Sequence, residues 1–311
     1  MPGRYRRAVR DVPLTVARGF LMGSADIVPG VSGGTVALVL GIYRRLIDAI
    51  RHGARAGSRL FRADMAGFRS GLANVEWSFL LPLLAGIGLA VVSLSSAIES
   101  LLEQRPVEMG GLFCGLVGAS VVLAWRLVRR WDAARLGVLA VTTVVVFAVL
   151  GLREHTSTAD TTGSAPLWAF LGAGALAICA MILPGISGSF ILVLLGMYGA
   201  VLGAVNDRAL GSLAVFLVGC VGGLALFSQV LHWALEHHDS TVMAALIGLM
   251  AGSLRVLWPW PHGVESTALH GPSDTVVTPV VLAVVAFALV IGFDAFARRR
   301  APLSPPTPEH F

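Results

Sequence analysis

The apolar residues of this chain gather into long runs, and six of them, 77–98, 107–125, 136–152, 210–235, 241–258 and 276–297, approach or exceed the ~20 residues that carry a helix across a bilayer core. They predict six full membrane crossings. Two further apolar stretches are shorter and are broken in the middle by Pro, Gly and Ser. Residues 25–43 read ADIVPGVSGGTVALVLGIY and residues 180–198 read AMILPGISGSFILVLLGMY, with nine of nineteen positions identical. The matches include Pro29 with Pro184, Ser32 with Ser187, Gly33 with Gly188, Gly41 with Gly196 and Tyr43 with Tyr198.

A weaker match continues downstream, where Gly86, Ser95, Glu103, Gly115, Ser120 and Trp125 align with Gly219, Ser228, Glu236, Gly248, Ser253 and Trp258. The chain therefore divides into a first repeat over 1–152, a second over 153–300 and a tail over 301–311. The first repeat carries an Arg-rich insertion over 44–76, expected as a cytoplasmic loop. Pro and Gly interrupt helices, and irregular backbone is tolerated in lipid only where protein shields it or it lines a cavity. Each broken stretch is accordingly expected to be a re-entrant helical hairpin. The predicted fold is an all-α polytopic membrane protein of two repeats, each a hairpin plus three transmembrane helices.

Three crossings per half make the repeats inverted, as in many secondary transporters. The basic residues give an independent test: all 23 are Arg, and in this topology 18 fall on the cytoplasmic side. Only Arg105, Arg153 and Arg208 fall outside, and Arg18 and Arg255 lie in membrane-embedded stretches. That asymmetry follows the positive-inside rule and puts both termini in the cytoplasm.

Composition agrees. The residues are 56% hydrophobic and 13% charged, against about 25% charged in ordinary soluble domains. The net charge of +5 sits beside the apolar runs, so nucleic acid is not an expected partner. No cleaved signal peptide is expected. Cys114, Cys179 and Cys220 lie in apolar runs without metal-ligand spacing, and neither a metal nor a cofactor is expected.

Ser32, Gly33, Gly34 and Thr35 should open a half-helix whose first amides and hydroxyls offer donors to an anion, and Ser187, Gly188 and Ser189 should do the same in the other half. Close helix packing by the same small residues is the alternative. Arg18 and Asp26, eight residues apart, lie on similar faces of the first helix. Arg18 is a candidate phosphate ligand, and Asp26 is a candidate to hold Arg18 or to take a coupling proton. Arg255 is a candidate head-group ligand near an outer helix end, with snorkelling as the plainer reading. Glu99 and Glu103, and Gln229 and His232 in the corresponding region, read as solvated helix ends. His237 and His238 read as part of a cytoplasmic turn.

The two broken motifs, with the lead-in from Gly19 to Gly23, resemble the PopT family of polyprenyl-phosphate translocases over nearly the full chain. That resemblance implies a bacterial cytoplasmic-membrane transporter that returns undecaprenyl phosphate, the carrier lipid of cell-wall and surface glycans, to the cytoplasmic leaflet. The expected partners are that anionic lipid, the bilayer and a coupling ion, proton or sodium. Two rivals stand beside it. A membrane polyprenyl-pyrophosphate phosphatase has a related motif, but with an arginine where this chain has Gly33 and Gly188. A transporter of a small anion would use the same half-helices without a lipid tail.

Overall fold

A computed structural model of the chain describes residues 2–28, 31–61, 64–128, 130–151, 165–261, 263, 269–272 and 276–300, without the side chains of 2–11, 58, 60, 61, 190 and 297–300. Pro29, Gly30, Arg62, Arg129, Arg153 and the tail over 301–311 lie outside the described residues. Every regular element among the described residues is a helix. In chain order they are α1 (Pro2–Asp26), α2 (Gly33–Val39), α3 (Tyr43–Phe61), α4 (Met65–Ala73), α5 (Trp77–Gln104), α6 (Pro106–Trp125) and α7 (Ala133–Gly151). The second half continues with α8 (Leu167–Ile182), α9 (Gly188–Leu194), α10 (Tyr198–Asn206), α11 (Leu210–His237), α12 (Asp239–Ser253) and α13 (Val277–Arg300).

Five of these, α5, α6, α7, α11 and α13, are long and apolar enough to cross a membrane. The sixth predicted crossing, 241–258, is helical only over Asp239–Ser253. At 1.5 Å per residue its 15 residues rise about 22 Å, short of a ~30 Å hydrocarbon core. Turns follow from Leu254 to Leu257, and Trp258 precedes Pro259, whose ring disfavours the helical conformation in the residue before it. The Arg-rich segment 44–76 also departs from expectation, because it is the helix pair α3 and α4 rather than a loop.

The helix pairings recur between the halves. α1 packs along α5 as α8 packs along α11, and α6 of the first half packs on α13 as α12 of the second packs on α7. Small residues set how closely the partners approach. A methyl group on Gly86 would lie 2.1 Å from the Val16 carbonyl oxygen, and one on Gly219 would lie 2.1 Å from that of Leu171. The reciprocal pair is Gly19 against Leu83 and Gly174 against Phe216, at 2.1 and 2.2 Å. Val16 with Leu171 and Gly19 with Gly174 keep the offset of the broken motifs, whereas Gly86 with Gly219 and Leu83 with Phe216 keep that of the downstream match.

Polar contacts sort to two ends of the bundle. At one end Arg44 pairs with Asp239, Arg45 with Glu76, and Arg126 with Asp294, joining α3 to α12, α3 to the start of α5, and α6 to α13. At the other, Arg255 lies 4.6 Å over the Phe147 ring and Trp258 donates to the His270 carbonyl at 3.0 Å. Between them, Leu38, Ile42, Tyr43, Ile47, Phe79, Leu83, Leu246, Ile247 and Met250 form a core shared by the two halves.

Candidate functional site

The first broken motif turns at Asp26, where α1 ends, and re-enters helix at Gly33. Ser32 is extended (φ −125°, ψ 136°), and its Oγ accepts from the Gly34 amide at 3.1 Å, the arrangement of a helix N-cap. The Asp26 carboxylate accepts from the Gly33 amide at 2.6 Å, and the Thr35 amide reaches the Ser32 carbonyl at 2.8 Å. The opening turn of α2, expected to hold bare donors, therefore already carries an anion supplied by the chain. A methyl group at 33 would sit 2.6 Å from Asp26 Oδ2, so any larger residue there would displace the carboxylate from this contact. Thr35 Oγ1 is buried without a hydrogen-bond partner among the described residues.

This turn rests on the other half. α8 stops at Ile182 because Leu183 takes the extended conformation that a following proline favours, which leaves the last α8 carbonyls without helical partners. Ser32 Oγ lies 3.3 Å from both the Met181 and Leu183 carbonyl oxygens, and the Tyr43 hydroxyl donates to the Ile182 carbonyl at 3.3 Å. Gly34 faces the same place, 2.7 Å from the Ile182 oxygen to a built methyl. Ser32, Thr35 and Tyr43 are each only 2% exposed.

The second broken motif has the same local form in a different setting. Ser187 is extended (φ −95°, ψ 137°), yet its side chain makes no cap; its Oγ lies 2.7 Å from Ser189 Oγ. Ser187 and Gly188 are half-buried, Ser189 is exposed, and Tyr198, the counterpart of Tyr43, is 46% exposed. Gly188 packs under the Ala177 carbonyl. Where Asp26 stands in the first half, Met181 is exposed.

Two sequence expectations are redirected. Asp26 does not hold Arg18: its carboxylate is engaged with Gly33, and no ion pair joins the two residues, which eight positions of helix separate by about 12 Å. Arg18 is half-buried on α1. Arg255 follows α12 and pins it to the end of α7 through Phe147, with Gly151 beneath the guanidinium. The structure thus brings together Asp26, Ser32, Gly33, Gly34 and the end of α8, and leaves Arg18, Arg255 and the Ser187–Ser189 group apart from that contact.

A polar cluster missed in the sequence joins α3 to α11. His232 Nδ1 lies 2.6 Å from Asp48 Oδ1, and its Nε2 lies 3.0 Å from Glu236 Oε1 and also meets Arg51. The available signal was the apolar spacing of α3, which places Asp48 and Arg51 one turn apart on a helix, not in a loop.

Comparison with known proteins bears on these features. Residues 22–272 match the family model described as VCA0040-like, undecaprenyl phosphate translocase-like. A polyprenyl-phosphate transporter of Vibrio cholerae serotype O1 is 35% identical over 309 residues, covering 92% of this chain and 97% of the relative. A polyprenyl-phosphate transporter of Staphylococcus aureus is 30% identical over 260 residues, covering 79% and 86%. No solved structure matches the chain.

Proposed function

The chain belongs to the undecaprenyl phosphate translocase-like family, and from that premise we propose that it moves undecaprenyl phosphate from the outer to the cytoplasmic leaflet of the bacterial inner membrane, for reuse in cell-wall and surface-glycan synthesis. It is a multi-pass membrane protein. The observation that carries the reading is the seating of one broken-helix turn on the other, Ser32 against the carbonyls of Met181 and Leu183. Two broken helices meeting inside a bundle are a recurrent way to hold a charged substrate while the surrounding helices rock.

In this reading the halves are inverted repeats, the broken motifs are re-entrant hairpins, and both termini and the α3–α4 pair are cytoplasmic. The docked first hairpin closes the cytoplasmic side, and the half-buried Ser187 and Gly188 with the exposed Ser189 face the outer side. A phosphate head group arriving there meets two hydroxyls and small residues that let it approach backbone, while the isoprenoid tail stays in lipid. Arg18 and Arg255 attract the head group at the two faces. For the phosphate to reach Ser32, Gly33, Gly34 and the unpartnered Thr35 hydroxyl, the Asp26 carboxylate has to leave Gly33, since two anions compete for one donor. Protonation of Asp26 releases that donor and couples transport to a proton gradient.

The same contact argues against phosphoester cleavage. A phosphatase needs positive charge on the departing phosphate, yet position 33 is a glycine whose amide faces a carboxylate. Liposomes holding the protein separate the readings. Faster leaflet exchange of undecaprenyl phosphate, lost in Arg18→Ala, is the expected result. Release of phosphate from undecaprenyl pyrophosphate, or saturable uptake of inorganic phosphate without lipid, would transfer the assignment to the corresponding rival.

A further inference from the structure

Each hairpin ends in the same backbone device. The Ile42 amide bonds back to the Ala37 carbonyl at 2.9 Å and the Met197 amide to that of Leu192 at 2.8 Å, with Gly41 and Gly196 at φ +68° and +66°. This is the six-to-one closure of a helix through a left-handed glycine. It delivers Tyr43 and Tyr198, the first residues of α3 and α10, in the same place relative to their own hairpins. Two units with the same closing turn therefore dock on different surroundings. Tyr43 is 2% exposed with its hydroxyl on the Ile182 carbonyl, whereas Tyr198 is 46% exposed.

The repeat supplies the missing dock. Ile182 corresponds to Ile27 at the offset that relates Tyr43 to Tyr198. Among the described residues no side-chain donor reaches the Ile27 carbonyl. The helix contacts show the same imbalance: besides their neighbours along the chain, α2 packs on α6 and on α8 of the other half, and α3 on α11 of the other half, while α9 packs on α8 and α10, and α10 on α9 and α11, all within the second half.

We propose that Tyr43 and Tyr198 are reciprocal positioning residues of the transport cycle: the opposite state undocks Tyr43 from Ile182 and docks the Tyr198 hydroxyl on the carbonyl of Ile27. This rests on the reading of the halves as inverted repeats of a transporter. Exchanging the environments of two inverted repeats converts one end state into the other at little cost, because the same local structures are reused. One difference between the hairpins shapes the second dock. Ser189 stands in the place of Gly34, where a side-chain carbon would lie only 2.7 Å from the Ile182 oxygen, so α9 has to sit farther out than α2 does. The long tyrosine side chain, rather than the serine cap, then spans the gap.

The test joins paired cysteines with a short flexible bis-methanethiosulfonate, after Cys114, Cys179 and Cys220 are replaced by serine. Tyr43→Cys with Ile182→Cys reports the present state, and Tyr198→Cys with Ile27→Cys the opposite one. Both pairs are expected to link in liposome-embedded protein, each link blocking leaflet exchange until reduced. Adding Tyr43→Phe is expected to raise the yield of the 27–198 link, a response that a merely structural tyrosine would not produce. Tyr43→Phe and Tyr198→Phe are each expected to slow exchange about 2- to 10-fold, the loss of one hydrogen bond. Absence of the 27–198 link in protein that still exchanges lipid overturns the inference and leaves the transport reading standing. A 27–198 link in wild-type-like protein that exchanges no lipid does the reverse.

Discussion

Replacing Gly86 by alanine places a methyl 2.1 Å from the Val16 carbonyl oxygen and 2.7 Å from the Phe20 amide nitrogen. Both neighbours are backbone of α1, so no side chain can swing away. Ordinary contact needs about 3.4 Å or more, and the α1–α5 pair has to separate by roughly 1.3 Å along its packed length. Overpacking of that kind costs about 1–3 kcal/mol. Gly219→Ala meets the Leu171 carbonyl oxygen at the same 2.1 Å and is expected to cost the same. Thermal unfolding of the purified variants in detergent should show matched losses, on the order of 2 to 10 °C. Gly88→Ala and Gly222→Ala, two and three residues further along the same helices with open space around the added methyl, should lie within 1 °C of wild type or above it, as about 0.5–1 kcal/mol is gained when alanine replaces glycine in a helix. A normal melting temperature for either Gly86→Ala or Gly219→Ala would refute the pairing of α1 with α5 and α8 with α11.

Three further outcomes follow from other contacts. Asp26→Asn keeps an acceptor for the Gly33 amide but no ionisable group, so it should fold normally and lose the pH dependence of lipid exchange; an unchanged pH profile would place the coupling elsewhere. His232→Ala removes the link between α3 and α11 and leaves the half-buried Arg51 with fewer partners, so it should lower stability by about 1–2 kcal/mol and raise the yield of the 27–198 cross-link; a wild-type yield would mean the cluster does not bias the two states. Glu76 lies outside the spanning helices, and its hydrogen bond to the Arg45 guanidinium holds its carboxyl below the usual range. Its contribution to stability is therefore complete above the unfolded-state value and lost as pH falls through the lowered folded value. Glu76→Gln should flatten that acid limb of the melting curve against pH, and an identical limb in the variant would remove Glu76 from the account of it.

Much of the architecture was legible because Pro and Gly constrain the backbone itself. The alignment of Gly86 with Gly219 and of the two broken motifs rested on such residues, and their contacts recur in the structure. Chemistry that depends on partners distant in sequence was less legible. The arginines of 44–76 were read as a group, as the mark of a membrane side, and their number concealed that Asp48 and Arg51 sit on a helix facing His232, some 180 positions away. Asp26 was read as a partner of Arg18 on its own helix or as a proton acceptor, whereas in the fold the Gly33 amide, seven positions on, claims the carboxylate. The shortening of α12 was encoded locally in Trp258, Pro259 and Pro261, but an apolar run masks such stops. The difference between Tyr43 and Tyr198 could not be read at all, since matched tyrosines in similar motifs acquire different surroundings only through the packing of the whole chain.

The most direct measurement is the initial rate at which labelled undecaprenyl phosphate leaves the outer leaflet of liposomes carrying the purified protein, set against protein-free liposomes of the same lipid under an imposed pH gradient. A rate well above the protein-free control, saturating with lipid substrate, is the expected result. A rate equal to that control, from protein that melts cooperatively and is inserted in the bilayer, would contradict translocation as the function of this chain.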